Sequence, residues 1–89
     1  MAKKLSLMPY AQAEVYTDTE GNTVLRSYST DVIILSPEGW LVCTGLYSAT
    51  TRKHISAFMR EYTPYDYQFA KKAFEGRYTI NIYTGEVID

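Results

Sequence analysis

The sequence predicts an α+β domain: an antiparallel sheet of about five strands with two consecutive helices packed on one face, in the order β-β-β-α-α-β. Glu14 to Leu46 holds short apolar, β-branched runs separated by turn-forming clusters, Thr51 to Gly76 changes to helical periodicity, and Arg77 to Ile88 returns to two-residue alternation. The chain has 89 residues, enough for one core and too few for two, so a single domain over residues 1–89 is expected.

Residues 1–9 hold two lysines and only a short apolar run before Pro9. They read as a loosely ordered N-terminal segment, too short in apolar length for a signal peptide or membrane span. Glu14-Val15-Tyr16 and Thr23-Val24-Leu25 flank the polar run Thr17 to Asn22, which contains Gly21 and suits a hairpin reversal. The β signal then runs from Thr23 to Leu35 with a polar interruption at Ser29-Thr30-Asp31. A bulge in one long strand and a corner between two strands both fit, and the bulge is preferred. Ser36-Pro37-Glu38-Gly39 is a turn, and Trp40 to Leu46 returns as a buried strand.

In the first helix Thr51, Ile55, Phe58, Met59 and Tyr62 share one stripe and face the core, with Lys53, Ser56 and Arg60 opposite. The second is expected to begin at Thr63-Pro64-Tyr65-Asp66, with Thr63 as cap and Pro64 in the first helical position, and to end at Gly76. Its apolar arc is wide, taking in Tyr65, Tyr67, Phe69, Ala70, Ala73 and Phe74. An arc of that width needs two partners: the sheet and the first helix, which is the preferred solution, or the sheet and another chain. Arg77 to Tyr83 reads as a strand that buries Tyr78, Ile80 and Ile82, and Thr84-Gly85 turns it into a short final strand.

A net charge of −1 supplies no global field for a polyanion, so nucleic acid is the weaker class of partner. The single cysteine, Cys43, has no internal partner and lies in an apolar strand, and the single histidine, His54, lacks the companions that a metal site or a Cys/His nucleophile requires. With no phosphate-loop, HExxH or nucleophile-elbow pattern, no catalytic residue, cofactor or metal is expected. The cytoplasm is the expected compartment.

The strongest local anomaly is the start of the first helix. Arg52, Lys53 and His54 crowd the first turn, and no acid occurs between Thr44 and Arg60. A helix N-terminus favours acids there, and each exposed cation costs about 0.3–1 kcal/mol. Two readings fit. In one, an anion or partner is held by Ser48, Thr50, Thr51, Arg52, Lys53, His54 and Arg60. In the other, Ser48 or Thr50 caps the helix, Thr51 faces the core, and the cations are solvated or paired with Glu14, Glu38 or Asp31. Asp18 and Glu20 at the hairpin tip, with Tyr47 and Tyr67, are secondary interaction candidates.

The strand around Tyr28-Ser29 and the stretch Tyr47-Ser48-Ala49-Thr50-Thr51-Arg52-Lys53-His54-Ile55-Ser56-Ala57-Phe58 together resemble small proteins of tailed phages and prophages of gut Firmicutes that carry Y-S-x-T-T-x-x-H-I-x-x-F. The likeness covers roughly two-fifths of the chain, from Leu25 to Phe58. It implies a small non-enzymatic protein that binds a host protein stoichiometrically, with inhibition of bacterial antiviral defence, as by anti-CRISPR proteins, as one form of that activity. The alternatives are a small nucleic-acid or phosphate binder using Thr50 to Arg60 and a homodimeric structural phage protein.

Overall fold

A computed structural model describes residues 2–46 and 48–88. Its elements are β1 (Ala13–Thr17), β2 (Thr23–Ser27), β3 (Thr30–Leu35), β4 (Trp40–Cys43), α1 (Ala49–Tyr62), α2 (Tyr67–Gly76), β5 (Thr79–Asn81) and β6 (Val87–Ile88). The strands form one antiparallel six-stranded sheet in sequence order. The α+β class, the two consecutive helices on one face and the short final strand match the expectation, with one more strand before the helices.

The added strand before the helices comes from Thr23 to Leu35, which is a hairpin and not one bulged strand. Ser27 pairs with Thr30, so Tyr28 and Ser29 alone turn the chain. Tyr28 adopts a φ of 57°, in the left-handed region that a tyrosine occupies at a cost of roughly 1 kcal/mol or more, and its N–H donates to the Gln12 carbonyl at 2.7 Å. A bulge does occur, but between strands: the register shifts between Leu25 and Arg26, leaving Val32 as the extra residue of β3. Val32 and Ile33 are therefore both buried and both in the core, where strict alternation would place one on each face.

The core gathers Ala13, Val15, Leu25, Val32, Ile33, Leu35, Leu41 and Cys43 from the sheet under Ile55, Phe58 and Met59 of α1 and Ala70 and Ala73 of α2. Phe58 is fully buried and its ring stacks on Tyr62 at 4.8 Å. Helix α2 packs on β4 and on α1, so its wide arc finds both partners inside the chain. Phe74, 36% exposed, is left at the rim.

Helix α2 starts later than expected. Thr63 closes α1: its N–H and its hydroxyl both donate to the Met59 carbonyl, the hydroxyl at 2.7 Å, and it accepts from the Tyr65 N–H. Asp66 is the N-cap of α2 and accepts from the Gln68 N–H at 3.0 Å. Proline fits a connection after a helix end as well as a first turn, and here the nearest acceptor for Thr63 was the preceding turn. Beyond Gly76, Arg77 turns the chain in the left-handed region.

The first strand after the helices is shorter than read, Thr79–Asn81, and buries Asn81 rather than Tyr78 or Ile80, which are half-buried, while Ile82 just beyond it is buried as expected. The Asn81 side chain donates to the Glu38 carbonyl and accepts from the N–H groups of Tyr83 and Thr84, which builds the final turn. Gly39 has a φ of 97° and the Tyr83 ring lies against it where a Cβ would stand, so glycine is required there twice over.

The N-terminal segment, expected to be loosely ordered, is instead tied to the fold. Lys3 and Val15 exchange two backbone hydrogen bonds of 2.7 Å, which covers the outer edge of β1. Leu5 is fully buried, and the Ser6 N–H donates to Glu61 Oε1 at 2.7 Å. A single buried leucine outweighs the polar composition around it. No helix among the described residues is long and apolar enough to cross a membrane.

Candidate interaction surfaces

The residues singled out around the start of α1 separate into two groups. Thr51 and His54 turn inward, whereas Ser48, Thr50, Arg52, Lys53 and Arg60 are exposed. Ser48 is the N-cap and accepts from the Thr51 N–H at 3.2 Å. Its own hydroxyl donates to Thr51 Oγ1 at 3.3 Å. Thr51 Oγ1 lies 3.0 Å from Ser27 Oγ, which lies 2.8 Å from His54 Nδ1. These contacts join the three hydroxyls to a neutral imidazole, and either partner of the Thr51–Ser27 and Ser27–His54 pairs can be the donor, according to the imidazole tautomer.

His54 is therefore not a third cation of the helix start. It is 1% exposed, burial holds its pKa below the ordinary histidine range, and the Tyr28 ring covers it at 5.7 Å between centroids. Ser27, Thr51 and His54, the buried members of this row, are neutral groups that bond to one another, which offsets the desolvation cost of isolated buried hydroxyls. Thr51 and Ser48 are likewise spent on the row and on the cap. An anion cradle built from all the candidate residues does not form.

Ser27 was missed from the sequence, although its position carries a signal. Alternation from Leu25 places Ser27 on the core face, and a polar side chain there needs a partner from a helix. Thr51 and His54, three residues apart on the apolar stripe of α1, are the polar groups that answer it.

Of the three acids expected as partners of the helix cations, Asp31 is engaged elsewhere. Asp31 Oδ1 accepts from Arg26 Nε at 2.9 Å, the single ion pair among the described residues, and Asp31 Oδ2 accepts from the Tyr16 hydroxyl at 2.7 Å. Arg26 also lies over the Tyr16 ring at 4.8 Å. The hydrogen bond to Asp31 holds the Tyr16 phenol above its ordinary range, and Asp31 does the same for the Arg26 guanidinium.

These groups lie on the sheet face opposite the helices. The register sets Tyr16 beside Val24, Val24 beside Ile34, and Ile34 beside Val42, one continuous row across β1 to β4. Trp40, alternating with the buried Leu41, joins the same face. Val24 is buried although it stands apart from the main core, and Tyr16, Ile34, Trp40 and Val42 are half-buried. A solvated antiparallel face ordinarily alternates polar side chains outward. On this face the central strands present valine, isoleucine and tryptophan, and the charged pair sits at one side.

A family profile described as a family of unknown function (DUF8033) matches residues 2–78. The chain belongs to this family. The DUF8033 match takes in the N-terminal segment, β1 to β4 and both helices, and therefore both the inner row and nearly all of the open face; β5 and β6 lie beyond it. No curated protein and no solved structure matches the chain.

The remaining candidates are placed as follows. Asp18 is consumed by its own turn: Oδ1 accepts from the N–H groups of Glu20 and Asn22, and Oδ2 from Asn22 Nδ2, with the Asn22 backbone the main reason its carboxyl is held below the usual range. Glu20 is exposed, and Tyr67 is half-buried against the core. Tyr47 lies outside the described residues. Cys43 is buried, and burial pushes its thiol up to about 11, so it is an unreactive core residue.

Proposed function

We propose that this chain is a small non-enzymatic binding protein that docks a folded host protein on the open sheet face and acts by stoichiometric occlusion in the bacterial cytoplasm. The row Tyr16-Val24-Ile34-Val42 with Trp40 carries this reading. Tryptophan, tyrosine and arginine are the residues enriched at the energetic centres of protein interfaces, and the Arg26–Asp31 pair supplies a polar rim. Inhibition of bacterial antiviral defence, the activity implied by the phage resemblance, is the specific form proposed. The phosphate-binding alternative has less support, because His54 and Thr51 are buried in the row with Ser27 and Thr50, Arg52, Lys53 and Arg60 remain outside.

The test uses Trp40, the only tryptophan of the chain. A partner recovered by the tagged wild type and lost with a folded Ile34→Asp variant should change Trp40 fluorescence on titration and reach an end point at equimolar ratio. Expression of the protein should raise phage plaque counts on a host with active nuclease-based defence. If wild type and Ile34→Asp recover the same proteins and plaque counts are unchanged, the reading fails. Concentration-dependent sedimentation lost with Ile34→Asp would assign the face to a second copy instead.

A further inference from the structure

A second surface lies on the far side of the helices. The turn from Leu5 to Met8 and the outer stripe of α1 enclose a groove of about 250 Å³ lined by Leu7, Met8, Lys53, Ser56, Ala57 and Arg60. Its position is fixed rather than incidental: Leu5 anchors the turn in the core and Glu61 accepts from the Ser6 N–H, so one wall is held against the other. The floor is apolar, with Leu7 58% exposed at the lip. Lys53 and Arg60, seven residues apart on one helical stripe, stand at its two ends, roughly 10 Å apart along the axis. No carboxylate lines the groove among the described residues.

We propose that this groove binds an acidic, partly apolar peptide segment of a partner protein, its two carboxylates facing Lys53 and Arg60 and an apolar side chain between them seated on Leu7, Met8 and Ala57. A polyproline-type segment with acids three residues apart spans about 9 Å per turn and keeps both acids on one side, which matches the cation spacing. Charge complementarity selects an acidic occupant, and the apolar floor selects peptide over nucleic acid, whose phosphates would use the two cations and leave Leu7 and Met8 in water. The inference rests on the reading of the chain as protein-binding and names the chemistry of a second contact. It also gives Lys53 and Arg60 a purpose that the ion pairs within the chain do not.

The probe is a fluorescein-labelled peptide repeating Glu-Leu-Pro-Glu, followed by anisotropy against the full chain. Saturable binding is expected. It should weaken about tenfold or more in Lys53→Glu/Arg60→Glu, weaken to a smaller degree in Leu7→Ser, and stay unchanged in Ile34→Asp, each variant verified as folded by circular dichroism. The unchanged Ile34→Asp result separates this groove from the open sheet face, so either site can fail alone. Absence of saturable binding, binding indifferent to the charge reversal, or tighter binding of a labelled oligouridylate than of the peptide would each overturn the proposal.

Discussion

Arg26 and Ser27 are neighbours in β2, yet they organise clusters of opposite kind. Ser27 points into the core and joins Thr51, Ser48 and His54 through neutral hydrogen bonds. Arg26 points out to the open face and joins Tyr16 and Asp31 through a charged pair, its side chains 45% and 38% exposed. Water makes the difference. On the wet face a charge costs little and gains little, whereas in the core only neutral, directionally ordered groups avoid a desolvation penalty. The inner row should therefore govern stability, and the outer cluster should serve recognition.

The largest effect is expected from His54→Ala, which opens a cavity in the core and leaves the Ser27 hydroxyl without its imidazole partner, costing about 2–4 kcal/mol. Urea unfolding followed by far-ultraviolet circular dichroism measures it. A loss no greater than that of Arg26→Ala would erase the contrast between the clusters. Ser27→Ala should follow at about 1–3 kcal/mol, because the His54 ring is left unsatisfied. The same change made in a His54→Phe background should cost much less, a coupling that a double-mutant cycle reads directly.

A pH titration comes next. The folded pKa of His54 is lowered by burial, so below the ordinary histidine value of about 6.5 the unfolded chain binds a proton that the folded chain refuses. Stability should be full above about pH 6.5 and decline as pH falls toward the folded pKa, by at most about 1.4 kcal/mol per pH unit for one proton. As the only histidine, His54 can be followed alone by nuclear magnetic resonance. Tyr28→Ala, which uncovers the ring, should move its midpoint up toward the ordinary value; an unchanged midpoint would mean that Tyr28 does not shield it. The smallest effect is expected at the surface. Arg26→Ala should barely alter the urea midpoint, and whatever it alters should vanish in high salt.

Much of this arrangement is legible before any coordinates. The stripe Ile55, Phe58, Met59 is core because helical spacing aligns it, and β4 lies between turns whose residues declare themselves. The hairpin at Tyr28-Ser29 was hidden because a tyrosine in the left-handed region is not a turn signal; the contact with His54 accompanies it there. The N-terminal segment was hidden because its attachment rests on Leu5 and two backbone bonds, neither of which has a local pattern. The helix-start anomaly was real as a pattern and wrong in composition, since the stripe that buries Ile55 also carries His54 inward.

What the sequence determined by itself is the class of the domain, the two helices with their buried faces, and the absence of acids from the start of α1. Those properties follow from periodicity and local charge, which act within a few residues. Tertiary structure decided that Ser27 meets His54, that Asp31 is taken by Arg26, that one sheet face stays open, and that the N-terminal turn makes a groove with Lys53 and Arg60. Each of these joins residues far apart in the chain or depends on which face is left uncovered. Neither is a local property: pairing register and layer packing assign them only when the whole core closes.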